Sequence, residues 1–452
     1  MKKVNYFSLA ALLLFSFSMQ AQTKKWSLEE CVKYAIDNNI SIKNTELDTK
    51  TADINKKDAF GNFLPSLNSN ANHSWNIGLN QDPTTGLLRN QTTQFSTMGV
   101  GVGLDIYKGM QNQNTLRRAN LSIIAAKYQL TKMQEDVALN VANAFLQVLF
   151  NKENLKVQKE QKANNEKQLA RSEELVKAGS VPRGDLLDIK ATVAADNQRV
   201  INAENALLIS KLSLAQLLQL KEFYDFDVTD DTNAKDENNI LSQTPLAIYD
   251  KAKELRTELK IAKTNLEIAE KNVTIAKGAY QPTLQGFYNI NTRISYADTF
   301  DFQTGTSRPA EPFGTQFTDN KGQTFGAQLS IPIFNGFSVK NNVERSKVNL
   351  EKSKIAMEQE ELTLQRNVYT AFTDAKGGLN AYESAISALD ARQEAYNYAK
   401  ERYAVGMMNS FDFNQSQTLY TVAQSEVLRT KYDYIFKIKI LEFYFGIPII
   451  KN

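Results

Sequence analysis

The sequence contains few of the residues on which most metal and catalytic sites depend. Cysteine and histidine occur once each among 452 residues, as Cys31 and His73. A single cysteine excludes an internal disulfide and a multi-cysteine metal site, and a single histidine excludes a multi-histidine zinc site. The carboxylates are plentiful but follow no recognisable catalytic pattern. We therefore expect no cofactor and no metal, and we predict that the chain is not an enzyme.

An excess of charge of one sign is also missing, and proline is scarce. The 53 lysines and arginines nearly balance the 50 aspartates and glutamates, which leaves a formal charge of +3. This balance argues against a nucleic-acid partner, because such proteins concentrate positive charge on one face. None of the nine prolines falls between Ile333 and Ile447. Since an interior proline costs a helix about 3 kcal/mol, this long interval permits very long helices.

Long apolar runs are missing beyond the N-terminal segment. Lys2 and Lys3 precede an apolar run from Tyr6 to Phe17, a pattern typical of a secretory signal peptide. We place this peptide at residues 1–21, with cleavage after Ala21. Cys31 lies too far downstream to be the acylated cysteine of a lipoprotein, so lipidation is not expected. No later run reaches the roughly 18 apolar residues of a spanning helix, whereas the shorter strands of a membrane barrel stay possible.

The chain repeats one pattern twice. Leu64-Pro65-Ser66-Leu67 resembles a segment 217 positions later, and Leu104-Asp105-Ile106-Tyr107-Lys108-Gly109 resembles one 227 positions later. The change in offset predicts a longer loop in the second copy. Each copy has the pattern of a helix, two strands, a very long helix, a tight turn and a helix. The predicted divisions after the signal peptide are a first repeat at 22–220, a connector at 221–243, a second repeat at 244–446 and a tail at 447–452. The acidic segment of the connector, from Asp225 to Asp236, is expected to be solvated.

Heptad patterns indicate what the long helices pack against. In the first copy, Leu116, Ile123, Leu130 and Val137 recur every seven residues, as a coiled-coil seam requires. The second copy has two such series, displaced by two residues and therefore by about 200° around the helix. One series is Val348, Ile355, Leu362 and Tyr369, and the other is Leu350, Met357, Leu364 and Ala371. Two opposed apolar stripes predict neighbours on both sides of this helix, whereas an ordinary two-helix coiled coil needs only one.

Four segments alternate between apolar and polar side chains, as amphipathic strands do. From Leu67 to Leu79 the odd positions are mainly apolar, and the even positions are mainly asparagine. The pattern recurs over residues 96–106, 284–294 and 324–333. It predicts a sheet with one face toward an apolar medium and the other toward water. The side chains predicted to face lipid include Trp75, Ile77, Leu329 and Ile331.

The number of strands bears on the number of chains. Four strands of about 10 residues can cross a bilayer when tilted, but they cannot close a barrel, since bacterial barrels begin at about 8 strands. Two chains would supply a barrel filled by its own side chains, and three chains would begin to leave a lumen. An aqueous channel therefore favours at least a trimer. The alternative is a soluble sandwich whose apolar face is turned inward.

Two turns at one spacing connect the sequence to a known family. Arg402-Tyr403-Ala404-Val405-Gly406 is followed by Asp412, and Glu174-Leu175-Val176-Lys177-Ala178-Gly179 is followed by Asp185. With these turns, each ending a very long helix, the whole mature chain resembles the TolC-type outer-membrane efflux proteins. The resemblance implies a mixed α and β fold in which four amphipathic strands per chain contribute to a 12-stranded trimeric transmembrane β-barrel. A long periplasmic α-helical coiled-coil barrel would continue from it.

The resemblance also implies a function and a set of sites. It implies an outer-membrane exit duct of a tripartite efflux or type I secretion system, a passive conduit coupled to a periplasmic adaptor and an inner-membrane pump. Adaptor docking at the tips would involve Gly179, Arg402, Val405 and Gly406. The periplasmic aperture would involve Asp185, Asp188, Asp412 and Gln415. From their chemistry alone, Asp185 and Asp412 are equally suited to cap the returning helices, so both roles stay open.

One alternative from another class is a periplasmic coiled-coil adaptor or structural protein without a membrane barrel. Such a protein would share the long helices but would not need four amphipathic strands of membrane-spanning length. The sequence does not identify the exported cargo.

Overall fold

The computed structural model describes residues 25–81, 86–221, 226–230, 239–301 and 303–449. The predicted signal peptide lies outside the described residues. The helices are α1 (Leu28–Asn38), α2 (Ile40–Gly61), α3 (Gln111–Lys177), α4 (Arg183–Leu218), α5 (Pro245–Leu255), α6 (Thr257–Gly278), α7 (Phe313–Asp319), α8 (Ser338–Ala404) and α9 (Ser410–Phe445). The strands are β1 (Lys25–Trp26), β2 (Ser66–Gln81), β3 (Leu88–Lys108), β4 (Asp227–Val228), β5 (Thr283–Ser295), β6 (Thr299–Asp301), β7 (Thr306–Arg308) and β8 (Gly322–Ser330).

The internal repeat extends to the lengths of the helices. Corresponding helices of the two copies have equal lengths, namely 11 residues in α1 and α5, 22 in α2 and α6, 67 in α3 and α8, and 36 in α4 and α9. The first two pairs begin 217 positions apart and the last two 227 positions apart. The additional residues of the second copy therefore lie between α6 and α8, where the longer loop was predicted. This segment contains β6, β7 and α7.

One antiparallel sheet contains the four amphipathic strands in the order β2-β3-β5-β8. Its register places Leu67 opposite Val102, Val102 opposite Tyr288, and Tyr288 opposite Phe325. The apolar side chains of neighbouring strands therefore share one face, as the alternation predicts. A bulge modifies the pattern at one point, because Asp105 and Tyr107 pair with successive residues of β5 while Ile106 has no register partner. Tyr107, rather than Ile106, thus lies opposite Leu284.

The chain folds into two compact units that do not coincide with the sequence repeats. One unit comprises the chain up to Leu47, Tyr128–Leu259, and Gln359 to the C-terminus. The other comprises Asp48–Lys127 and Lys260–Glu358, and it contains the whole four-stranded sheet. Each unit draws segments from both copies of the pattern. The repeat is therefore one of element order, not of compact folding units.

The first unit has two apolar cores, and one of them includes part of the predicted connector. Phe226 and Val228 are buried against residues of α1, α3 and α4, and β4 pairs in parallel with β1. Asp227 forms ion pairs with Lys152 at 2.8 Å and Lys211 at 3.3 Å. Burial opposes ionisation of Asp227, but these two lysines hold its pKa below the usual value. The expectation of a solvated connector is therefore wrong for residues 226–228, because two apolar side chains anchor them.

The two stripes of α8 differ in burial within the single chain. Leu364 and Ala371 are buried and Leu350 and Met357 are half-buried, whereas the second stripe, Val348, Ile355, Leu362 and Tyr369, is exposed. An exposed apolar stripe of this kind indicates a surface for a further protein or lipid partner. Among the helices of the described chain, none combines the length and the apolarity needed to cross a bilayer.

Candidate functional site

The first candidate surface is the apolar face of the four-stranded sheet. Ile77 is 81% exposed and Leu329 is 60% exposed, and Trp75 is exposed on the same face. Large apolar side chains at this exposure are unfavourable in water, so the face requires a partner or an apolar medium. Ile331 is also exposed, but it lies one residue beyond the end of β8 and immediately before Pro332. The prediction placed Ile331 within the strand, and the strand stops because proline has no N–H for a ladder hydrogen bond.

The opposite face of the sheet is polar and relies on glycine for space. Gly99 pairs with Asn291, and Gly101 pairs with Asn289. A Cβ atom at Gly99 would lie 2.4 Å from Oδ1 of Asn291, and one at Gly101 would lie 2.5 Å from Oδ1 of Asn289. The alternating glycines of β3 therefore make room for asparagine side chains of β5. This packing, which depends on the strand register, is not readable from the sequence.

The second candidate surface lies at the two turns between long helices, which we call the tips. Gly179 and Gly406 both have positive φ, at 72° and 76°. At each tip the glycine and the next residue donate to carbonyl groups of the preceding helix, with Ser180 N bonded to Leu175 O at 2.9 Å and Met407 N to Arg402 O at 2.8 Å. Both turns therefore end the preceding helix in the same way, with one residue in the left-handed conformation, for which glycine is the preferred residue.

Neither predicted aspartate caps the helix that returns from its tip. The residue at the cap position of α4 is Pro182, with no side-chain cap, and that of α9 is Asn409. Asn409 Oδ1 accepts a hydrogen bond from Asp412 N at 2.8 Å, and its amide donates to Asp412 Oδ2 at 2.9 Å. Asp185 and Asp412 instead occupy the first turns of α4 and α9, where the helix dipole favours negative charge. The capping alternative for these two carboxylates is therefore wrong.

A groove of about 640 Å³ lies between the two tips. Its walls are mainly polar and charged on the side of the first tip and mainly apolar on the side of the second. They comprise Gln168, Arg171, Ser172, Leu175, Ser180, Val181, Asp185, Tyr403, Ala404, Gly406, Met407, Met408 and Asn409. Met407 in its wall is 71% exposed, and Val405 beside it is 69% exposed. The Arg402 guanidinium donates to the Met407 carbonyl at 3.2 Å and lies 5.8 Å from the Tyr398 ring.

The remaining aperture candidates lie around this groove or on the surface. Asp185 is half-buried and lines the groove, whereas Asp188, Asp412 and Gln415 are exposed. Their roles stay predictions. In the described part of the chain, no three histidine, cysteine, aspartate or glutamate side chains are grouped closely enough to hold a metal ion.

Sequence reasoning missed the contacts that hold each helix pair together. In the second pair, Tyr396 stacks on Tyr420 at 5.2 Å, and Tyr403 stacks on Phe413 at 4.7 Å. In the first pair, buried Asn165 donates to the carboxylate of buried Asp196 at 2.5 Å. The aromatic contacts could be anticipated from the tyrosines of the last two helices. No pattern in the sequence indicates the buried polar pair.

A model of the outer membrane efflux protein family matches residues 32–219 and 248–439, which include most of both repeats. The chain belongs to this family. The two matched segments fall on the two copies of the helical pattern, so the duplication is part of the match. The resemblance to TolC-type proteins inferred from the strands and tips is thereby confirmed.

Individual outer membrane efflux proteins and related structures are similar over most of the chain. The outer membrane protein TolC of Vibrio cholerae is 22% identical over 386 residues, which cover 83% of this chain and 80% of that protein. The CmeC outer membrane channel of Campylobacter jejuni has a TM-score of 0.74 at 18% identity, covering 93% of this chain and 85% of its own. A membrane protein of Pseudomonas aeruginosa has a TM-score of 0.77 at 16% identity, with 92% and 90% covered.

These similarities confirm the predicted fold class, a mixed α and β chain with the amphipathic strands and long helices of outer-membrane channels. As an outer membrane efflux protein, the chain belongs to a family of outer-membrane transport ducts, not to a family of enzymes. The signal peptide and the site residues stay predictions.

Proposed function

We propose that the chain is the outer-membrane exit duct of a tripartite efflux or type I secretion system. Three copies would close one 12-stranded barrel through which cargo passes passively. The single observation that carries this proposal is the four-stranded sheet, which exposes an apolar face and ends in two strands, β2 and β8, that each have one partner in the described sheet. A sheet with open edges cannot lie in lipid, because unpaired backbone groups there cost several kcal/mol each.

The direction of the end strands is compatible with closure between copies. Neighbouring strands of the sheet are all antiparallel, so β2 and β8 run in opposite directions. β8 of one copy can therefore pair antiparallel with β2 of the next, and a ring of copies has no open edge. The polar face with its asparagines would then line the lumen, and Trp75, Ile77, Leu329 and Ile331 would face outer-membrane lipid.

The tips support a second part of the proposal, namely docking of a periplasmic adaptor that connects to an inner-membrane pump. Exposed Met407 in the wall of the groove of about 640 Å³, with exposed Val405 beside it, gives a partner both apolar area and a cleft. The shape of this surface depends on the turns at Gly179 and Gly406 and on Arg402, which bonds to the second turn. Since Asp185 lines the same groove, a partner bound there would be placed to act on the proposed aperture of Asp185, Asp188, Asp412 and Gln415.

Charge substitutions on the two faces of β8 test the channel. We expect Leu329→Arg to place an unfavourable charge against lipid and to reduce trimer assembly in the outer membrane, since an arginine facing lipid costs about 2–4 kcal/mol at the bilayer midplane and less toward its edges. Gln328→Arg, at the adjacent position on the polar face, is the matched control and should still assemble. Membrane fractionation with salt extraction and single-channel conductance in planar bilayers give the readout.

The outcomes separate the proposed duct from a periplasmic coiled-coil adaptor. Conductance by the unaltered protein and by Gln328→Arg, with loss for Leu329→Arg, supports the duct. A protein that salt releases from membranes and that gives no conductance would contradict it and favour the adaptor alternative. Normal trimers of Leu329→Arg would show that this face does not meet lipid.

A further inference from the structure

The edge strand β8 ends before its neighbour β5 does. β8 pairs with β5 only from Thr283↔Ser330 to Asn291↔Gly322, whereas β5 continues to Ser295. Over the last residues of β5, helix α7 takes the place of the missing strand. At this end of the sheet the lateral order is therefore β2, β3, β5 and α7.

Side chains in the middle of α7 and just after it replace the strand ladder with their own hydrogen bonds. Gln316 Oε1 accepts from Ser295 N at 2.9 Å, and Gln316 Nε2 donates to Ser295 O at 2.9 Å. This reciprocal pair copies the two bonds that a neighbouring strand residue would form. Asn320 Nδ2 donates to Arg293 O at 2.8 Å, and Thr292 Oγ1 donates to Phe317 O at 3.2 Å. The helix is thus fixed to the sheet edge by polar contacts.

The apolar side chains of α7 are not used in that attachment. Phe313 and Phe317 are exposed and stack on each other, with ring centroids 6.1 Å apart. Every residue of α7 is exposed except Gln316, which is half-buried. Two stacked phenylalanines on a short helix whose polar contacts already hold it in place indicate that another surface covers them.

Strand lengths indicate what that surface is. β2 has 16 residues and β8 has nine. If β8 of one copy pairs with β2 of the next from Ser66 onward, its nine residues reach only Ser74. The outer end of β2, from Trp75 to Gln81, pairs with β3 on one side and would have no strand on its other side. This end carries exposed Leu79, and α7 lies beyond the edge of β5, on the side where the next copy would pair.

We propose that α7 is an intersubunit clamp, in which Phe313 and Phe317 cover the outer end of β2 in the neighbouring copy of this chain. The contact rests on the proposed trimeric duct. It completes the wall of the barrel where β8 is too short to do so, because the helix covers an edge that β8 leaves open.

Cysteine cross-linking tests the clamp, and the chain suits the method. Its one cysteine, Cys31, is buried, and burial raises the pKa of its thiol to about 12, so a Cys31→Ser background removes little reactivity. In that background, one copy carries Phe313→Cys and a co-expressed copy carries Leu79→Cys. We expect a disulfide-linked dimer after mild oxidation, which can only join two chains. Neither single variant expressed alone should give it.

The matched control replaces Leu79→Cys with Leu67→Cys. Leu67 is equally exposed and lies on the same face of β2, but at the opposite end of the strand. We expect at least a tenfold lower cross-link yield for this pair. In a second measurement, the Phe313→Ser and Phe317→Ser double variant should lower the temperature of trimer dissociation and leave the circular dichroism of the chain unchanged.

The possible failures are distinguishable. Trimers that conduct but give equal yields for Leu79→Cys and Leu67→Cys would overturn the clamp and leave the proposed duct intact. Absence of any trimer would overturn both. A double phenylalanine variant with unchanged trimer stability would show that the rings do not cover a neighbouring copy.

Discussion

At each tip, the backbone conformation of one residue determines where the long helix ends. Gly179 and Gly406 have φ near 70°, in a region that costs other L-residues about 1–2 kcal/mol. In this conformation the next amide, Ser180 or Met407, reaches a carbonyl group five residues earlier. The two tips therefore depend on the same property of glycine, although the side chains around them differ.

An alanine substitution tests this dependence directly. Gly406→Ala should destabilise the tip by about 1–2 kcal/mol, because the added Cβ disfavours positive φ even though no other atom lies within 4 Å. The expected result is faster hydrogen exchange of the Met407 amide. Gly184→Ala is the matched control, since Gly184 also has open space around it but lies within helix α4 at ordinary φ. Equal exchange rates in both variants would show that the turn does not constrain the helix end.

The tips could be predicted from the sequence, but their hydrogen bonds could not. Glycine and aspartate recur there at one spacing, which is a local signal. Assigning the cap to Asn409 instead of Asp412 requires the position of the helix start to within a residue, and helix ends are not specified that closely by local preference. The buried contact between Asn165 and Asp196 has no counterpart 227 positions later, so the duplication gives no hint of it.

At the scale of elements, helix α8 carries one apolar stripe that packs within the chain and another that is exposed. Leu364 is 4% exposed and packs in the second apolar core, whereas Leu362, two residues earlier, is 56% exposed. The two side chains point to different surroundings because two residues rotate a helix by about 200°. One stripe thus stabilises the single chain, and the other is available to a neighbouring copy.

Substitutions on the two stripes should have different effects. Leu362→Glu should leave the free energy of unfolding of the monomer nearly unchanged but reduce trimer yield, because it charges the exposed stripe. Leu364→Ala should lower that free energy by about 2–5 kcal/mol, as large-to-small core changes do. Thr370→Glu, exposed on the same helix outside the stripe, controls for added charge. Denaturant unfolding and native mass measurement separate the two quantities, and normal trimers of Leu362→Glu would contradict an assembly role.

The sheet was predictable in its faces but not in its details. Alternation from Leu67 to Leu79 assigns the two faces, since side-chain direction in a strand has a period of two. The bulge at Ile106 depends on how neighbouring strands meet, which no single segment records. The end of β8 before Ile331 has a local cause in Pro332, which the alternation of side chains does not take into account. Likewise, the acidic character of the connector conceals Phe226 and Val228, two apolar residues that suffice to anchor it in a core.

At the scale of the whole molecule, sequence repeat and compact unit are different divisions. The repeat is visible in the sequence because similar segments recur 217 or 227 positions apart, and the equal lengths of corresponding helices agree with it. The compact units are not visible, because each combines segments of both copies that are distant along the chain. A duplicated pattern whose copies fold together in this way can diverge at each tip while keeping one scaffold. The second tip differs from the first in its exposed apolar side chains.

That divergence predicts that the second tip carries much of the adaptor contact. Val405→Asp combined with Met407→Asp should abolish export in cells, because both side chains are exposed and their loss removes apolar area from the tip. Trimer yield and single-channel conductance should stay normal, since the sheet belongs to the other compact unit. Lys400→Asp, exposed on α8 just before the tip, controls for added negative charge and should still export. Normal export by the double variant would remove the second tip from the docking surface, whereas loss of conductance would show that the substitutions disturb the duct itself.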